Sequence, residues 1–299
     1  MPTIIKSDKY SSANLGSAAS FGVTMPFNLS TLVAEGIWSL RKVRLAYSAQ
    51  VGTVYQATTA AYGSLAFDVN NGVSGSSVVT ITVPGTSGYS IGQQVTLTAF
   101  AATADVHMVQ WNDQSGNGRH MAGGAVATAP RLYIAGVLQT LGTKPSLVTD
   151  GVNDYLGSTF TRAQPYSLVV AAQGGVNGGA SNLLSSGPGG LGDVSVNHTV
   201  PTKTFMYAGT VLGDAVVRSG APHVIASKFN GATSTIYADR AQVATGNAGT
   251  PAAATTLRIG SLYNATAYYP NRYWEVLAYS GAGTDLDAIA ANVMAYYGL

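Results

Sequence analysis

The chain has 299 residues, 9% of them Asp, Glu, Lys or Arg, and a formal net charge of +2. Charge this sparse, against about 25% in an average globular protein, leaves a neutral polar surface. It gives no nucleic-acid footprint, since the densest basic stretch is Arg41, Lys42 and Arg44. There is no Cys, which excludes disulfides, thiolate zinc sites and cysteine nucleophiles.

Disorder is excluded by the aliphatic and aromatic content, with 17 Tyr beside 36 Gly in a β-rich composition. No run approaches the roughly eighteen apolar residues of a membrane span. The opening MPTIIKSDKYSS lacks the apolar core of a signal peptide, so the sequence predicts folding in a cytosol. The sequons at Asn28, Asn197 and Asn264 then read as chance.

In chain order, residues 1–24 form an irregular arm rich in Ser, Ala, Gly and Asn, and the whole N-terminal segment is set at 1–36. In TLVAEGIWSLRKVRLAY, a helix broken at Gly36 and a strand over Trp38–Tyr47 fit equally. Ser77–Gly85 and Gln93–Phe100 alternate with period two around a Pro-Gly-Thr-Ser-Gly turn, which predicts a β-hairpin within residues 70–100. Further strands are predicted at HMVQW, SLVVAAQ, KTFMYAGTV, HVIASKFN, STIYADR, TTLRIGSLY and RYWEVLAYS. Many short strands with Gly, Asn and Pro between them indicate an antiparallel β-sandwich or jelly roll. One helix closes the pattern. Thr284 is its predicted N-cap, with Asp287 three residues on, and Leu286, Ile289, Ala290, Val293 and Tyr297 make its apolar stripe before Gly298.

Two turn motifs carry a family resemblance. WNDQSGNGRHM (Trp111, Asp113, Gln114, Ser115, Gly116, Asn117) and DGVNDYL (Asp150, Gly151, Asp154) resemble the signature of concanavalin A-like lectin/glucanase domains of the laminin-G-like type. WSLRKVRLAYS resembles the opening of the arabinofuranosidase B-like branch, and the likeness covers most of residues 37–299. It implies an all-β sandwich over 37–299 and, because such modules are frequent in bacteriophage virion proteins, a tail appendage, fibre or capsid-decorating protein. That role implies assembly in the host cytoplasm, a homo-oligomer such as a trimer, and contacts to other virion proteins through the arm. The fold itself hosts lectins, hydrolases and plain structural modules. Turn chemistry alone accounts for both motifs, since Asp and Asn bond nearby amides and Gly supplies positive φ.

Glycoside hydrolysis needs two positioned carboxyls, and the chain has two Glu, Glu35 and Glu275, with eleven Asp. Glu275, in RYWEVLAY, is a weak catalytic candidate: its strand places it either on a ligand-facing sheet or on an ordinary exposed face. The E-x-D-x-x-E cluster of glucanases with the resembled fold is absent, and the sequence predicts no enzyme, with an arabinofuranosidase-type hydrolase as the alternative. No cofactor is predicted. The histidines are widely spaced, and calcium, which the resemblance would put at Asp113, Asp150 or Asp154, lacks a dense oxygen cluster. GPGGLGD has the form of a dinucleotide loop but opens no helix. For a host-surface glycan, the predicted site is Ser261–Trp274, with Tyr263, Asn264, Tyr268, Tyr269, Arg272 and Trp274. These aromatics serve equally well as core or as a subunit interface.

Overall fold

The structure, a computed structural model, describes residues 33–44, 46–175, 181–187, 192–196, 204–216, 218, 220–250, 253–281 and 283–299. The arm over residues 1–32 lies outside the described residues.

Strand β1 (Ala34–Ser39) is followed by a layer made of β2 (Gly52–Gln56), β3 (Ala61–Leu65), β4 (Val78–Val83), β5 (Gln94–Thr96), β6 (Val106–Trp111), β7 (Met121–Ala122), β8 (Arg131–Ile134) and β9 (Val137–Leu138). The predicted hairpin is β4–β5, but it continues the layer through β3 rather than standing apart. Its second strand is shorter than predicted. Thr96 accepts a hydrogen bond from the Ala99 N–H and caps a one-turn helix α1 (Leu97–Ala101), which buries Leu97, Phe100 and Ala101. The small pair β10 (Thr140–Leu141) and β11 (Lys144–Pro145) precedes β12 (Leu147–Val148), which joins β8 to the main sandwich.

The sandwich proper is built from β13 (Leu156–Arg162), β14 (Tyr166–Gln173), β15 (Ser181–Leu184), β16 (Asp193–Val196), β17 (Thr204–Tyr207), β18 (Val211–Asp214), β19 (Pro222–Phe229), β20 (Ser234–Ala238), β21 (Ala241–Gly246), β22 (Ala254–Ile259) and β23 (Arg272–Ser280). One antiparallel sheet, sheet I, runs β1-β23-β14-β19-β20-β21. The facing sheet II runs β13-β22 and continues through the Ser185–Arg258 bridge into β15-β16-β17-β18. The core between them takes every second residue, among them Leu156, Phe160, Leu168, Val170, Val194, Met206, Leu257, Ile259, Val276 and Ala278.

β14 and β23 are buried on both faces. Helix α2 (Leu286–Tyr297) lies on the outer side of sheet I over Ile37, Val169, Ala171, Val224, Ala226, Trp274 and Leu277. Every residue of the predicted stripe of α2 is buried. Its cap sits one residue later than predicted: Asp285, not Thr284, accepts from the Ala288 N–H at 3.0 Å. Gly298 ends the helix at φ 71°, a conformation in which a side chain is strained.

β1 begins at Ala34, inside the segment assigned to the arm, and ends at Ser39; the segment is a strand, but it runs through Gly36 and shares only Trp38 and Ser39 with the predicted strand Trp38–Tyr47. It pairs with β23 on one side. On the other side, no strand among the described residues completes the ladder. The WNDQSGNGRH turn does it, with one backbone bond from the Gln114 N–H to the Ile37 carbonyl at 2.7 Å and otherwise with side chains. Asp113 Oδ1 accepts from the Ile37 N–H at 2.9 Å, Gln114 Oε1 from the Val43 N–H at 2.9 Å, and Gln114 Nε2 donates to the Ser39 and Arg41 carbonyls. Asn117 donates to the Ala34 and Glu35 carbonyls, and the Trp38 indole N–H donates to the Arg119 carbonyl. Asp113 is 2% exposed, and its two oxygens also take the Ser115 N–H, the Ser115 hydroxyl and the Arg119 N–H. The motif is therefore a clamp on an edge strand, which is the physical reason for its residue types.

Candidate functional site

The predicted ligand stretch divides over two places. Trp274 is 0% exposed beneath α2, with Tyr297 against its ring, so it is sealed from any ligand. Glu275 is 1% exposed and pairs with Arg41 at 2.7 Å. Ser39 and Tyr297 hydroxyls also donate to it, and Arg41 bonds Asn292 of α2. The catalytic candidate is thus corrected to a buried ion pair that docks the helix. The cause is a bulge in β23 opposite Ala171 and Ala172, together with a helix over the face that alternation alone would expose. Arg272 reaches Gln139 and Ser146 beside β12, and Asn264 accepts from Thr266 within its own exposed turn.

Tyr263, Tyr268 and Tyr269 go elsewhere, onto the outer face of sheet II. That face is fixed by its neighbours: Leu257, Ile259, Leu184 and Val194 point into the core, so Arg258, Ser185 and Asp193 point out. Ser185 and Arg258 exchange both backbone hydrogen bonds, at 3.0 and 2.8 Å, which sets their side chains next to each other. Ser185 Oγ accepts from the Tyr263 N–H at 2.9 Å. The Tyr263 ring lies on Gly187, where a Cβ would come 2.6 Å from the ring. Beyond Arg258, Tyr155 and Tyr268 have ring centroids 6.5 Å apart.

Asp193 forms the polar end of this face at 8% exposure. Burial raises its carboxyl to about 6, against the opposing pull of hydrogen bonds from the Ser186 N–H and the Ser185 and Asn182 side chains. The Ser195 hydroxyl donates to Asn182 beside it. Tyr269 is close enough that burial and then the Asp193 charge push its phenol above the ordinary value. The segments 188–191 and 197–203 that flank β16 lie outside the described residues. The arrangement is a hydroxyl and amide floor with a partly protonated carboxyl and tyrosine walls. It can take hydroxyl groups and the C–H faces of a sugar ring.

Sequence reading found the tyrosines and missed Asp193, Ser185, Arg258 and Tyr155. Two of these carried a local signal: Arg258 is a charge inside the apolar strand TTLRIGS, and Tyr155 stands in DGVNDYL. In the second turn, Asp150 Oδ1 accepts from the Val152, Asn153 and Asp154 N–H groups. Burial alone would raise Asp150, but those donors hold it below the ordinary carboxylate value. Asp154 accepts from the Asp150 N–H at 3.0 Å, and burial and then the Asp150 charge raise it to about 7. The oxygens proposed for calcium at Asp113 and Asp150 already serve backbone donors. Among the described residues, no three His, Asp or Glu come together as metal ligands. No described helix is long and apolar enough to cross a membrane.

No family model matches the chain, and no curated protein matches it. Solved structures do. The chain is similar to a mutant GH54 α-L-arabinofuranosidase soaked with 4-nitrophenyl α-L-arabinofuranoside, with TM-score 0.64, 12% identity, and 90% of this chain and 64% of that one covered. It is similar also to an arabinofuranosidase complexed with arabinofuranosyl-α-1,2-xylobiose, at TM-score 0.62 and 12% identity over the same shares. A Trypanosoma rangeli sialidase complex reaches TM-score 0.44 at 14% identity over 63% of this chain and 30% of that one, too weak a likeness to bear on this chain. The chain spans less than two thirds of the arabinofuranosidase chains, 64%. At such identity the likeness shows the fold alone, a β-sandwich. It also corrects the prediction that the chain is no enzyme: the arabinofuranosidases just named share its fold, so the missing E-x-D-x-x-E cluster does not exclude hydrolysis.

Proposed function

We propose that this chain is a carbohydrate-active β-sandwich that takes a saccharide on the outer face of sheet II, with Asp193 on the floor and Tyr263 and Tyr269 on the walls. The observation that carries the reading is Asp193, a carboxyl buried to 8% exposure among hydroxyl and amide groups and raised to about 6 beside half-buried tyrosines. A saccharide offers such a floor its hydroxyls and such walls its C–H faces. The arabinofuranosidase likeness supports the class of ligand.

Glycoside hydrolysis is a second reading, favoured by the same residue. A carboxyl that titrates near 6 suits a general acid, being partly protonated where its partner base is ionised. Hydrolysis then needs a second carboxyl, and among the described residues no other carboxylate adds to the Asp193 shift.

Calorimetry with a panel of arabinose-, xylose- and uronic-acid-containing oligosaccharides tests both readings. Saturable binding that falls about tenfold on Tyr263→Ala, roughly 1.4 kcal/mol, supports the site. Sugar release that disappears in Asp193→Asn, with binding retained, supports hydrolysis. A folded wild-type chain that binds nothing on the panel overturns the proposal. The finer reading from the resemblance, a virion appendage held by residues 1–36, gains no support from the solved structures. Its test is the presence of this polypeptide in purified particles, and absence there overturns it.

A further inference from the structure

Arg258 is set apart from the other arginines. Arg41, Arg119, Arg131, Arg218 and Arg240 each meet a carboxylate. Arg44, Arg162 and Arg272 donate hydrogen bonds. The Arg258 guanidinium has neither among the described residues, and its Nη1 is buried with no partner. Nor is it free to wander. Its carbon sits 4.7 Å from the centroid of the Tyr155 ring. Its stem crosses Gly157, the residue paired with it on β13, where a Cβ would come 2.9 Å from Arg258 Cγ. A glycine groove and a tyrosine face therefore hold a half-buried guanidinium in place, next to Ser185 and on the same face as Tyr263 and Tyr268.

A cation held in this way, with its donors unspent, is preorganised for an anion. Its planar fork matches a carboxylate, and stacking on tyrosine leaves the edge of the fork for that bond. We propose that the saccharide bound on this face is acidic, a sugar bearing a ring carboxylate, and that Arg258 is the specificity-determining residue that receives that carboxylate. This rests on the outer face of sheet II being the saccharide site. Tyr155 and Gly157 act as positioning residues, holding the guanidinium without touching the sugar. The polar floor at Asp193 and Asn182 then takes hydroxyls of the same or the next ring.

Binding of oligogalacturonate is compared with binding of its methyl ester, which removes the charge and keeps the ring, and with a sulfated neutral oligosaccharide. Wild type binds the free acid about tenfold more tightly than the ester, and the sulfated sugar no better than the ester. Arg258→Gln brings acid and ester within about twofold of each other, chiefly by weakening the acid. Gly157→Ala keeps the positive charge but displaces its stem, and lowers the acid preference by about threefold, which separates a placed guanidinium from mere charge. Equal binding of acid and ester by wild type overturns the proposal and leaves the saccharide site standing, as does an acid preference that survives Arg258→Gln. Preference for the sulfated sugar over the free acid overturns the carboxylate assignment. No saccharide binding of any kind overturns the site itself.

Discussion

Beneath α2, Glu275 and Arg41 meet at 2.7 Å, with Ser39, Asn292 and Tyr297 completing their hydrogen bonds. On the outer face of sheet II, Asp193 and Arg258 stand on strands either side of Ser185 and do not meet. Both places hold one carboxylate and one guanidinium near strand positions of the same sandwich. The first pair is closed from water, and its members use up each other's bonding capacity to fix a helix. In the second place Asp193 is satisfied by neutral donors rather than by a cation, and Arg258 keeps its donors by resting on a tyrosine. Catalytic or binding chemistry is thus to be sought where charges are held apart, and the most conspicuous carboxylate in the sequence was the wrong one to follow.

The contrast is open to direct test by denaturant unfolding. Glu275→Gln leaves Arg41 as an uncompensated buried cation, and the expected loss is about 3–5 kcal/mol at any pH where Glu275 is ionised. It is read from the urea midpoint at unchanged slope. Asp113→Ala extends the comparison to a carboxylate satisfied by N–H and hydroxyl donors rather than by a cation. Losing the acceptor for Ile37, Ser115 and Arg119 is expected to cost about 2–3 kcal/mol and to expose β1 to limited proteolysis.

Asp154 should behave in the opposite way. Its folded pKa of about 7 lies above the ordinary 3.8. Below about pH 4 the carboxyl is protonated in both states, and it costs nothing. Between pH 4 and 7 the unfolded chain releases the proton that the fold retains, so stability falls as pH rises, and above 7 the loss is complete. Asp154→Asn, which keeps an acceptor for the Asp150 N–H, is expected to match wild type at pH 4 and to exceed it by about 1–3 kcal/mol at pH 8. Asp193→Asn carries the same sign and a smaller size, about 1 kcal/mol at pH 8 and none at pH 4. If Asp193→Asn were instead destabilising on the scale of Glu275→Gln, the distinction between the two regions would fall.

Much of the architecture was legible. Period-two alternation marked β4, short apolar runs between Gly- and Asn-rich turns marked β6, β20 and β22, and 3.6-residue spacing gave the apolar stripe of α2 but not its buried Asn292. The failures share a cause, which is that a segment's environment is set by what packs on it from far along the chain. Trp274 and Glu275 occupy a strand covered on both faces, so no alternation was left to assign them. The turn at Trp111–Met121 could be read as a turn, but its work is done on Ile37, 76 residues upstream of Asp113. Arg258 becomes a neighbour of Ser185 only when β22 meets the end of β15, whereas Asp193 reaches it through the local pairing of β15 with β16. Thr96 shows the local counterpart: a residue with good strand propensity becomes a helix cap because its hydroxyl finds the Ala99 N–H.

The placement of β1 also sets the order of events during synthesis. Its hydrogen-bonded partner is β23, and the Ser39–Glu275 contact spans 236 residues. The clamp at Asp113, which holds β1 through the Ile37 N–H and through a backbone bond from the Gln114 N–H to the Ile37 carbonyl, is translated long before that partner. Contacts of such separation slow folding, because the loop must close before they form. A ribosome paused before β23 therefore carries a sandwich with its central sheet open, and completion of that strand is the event that closes it.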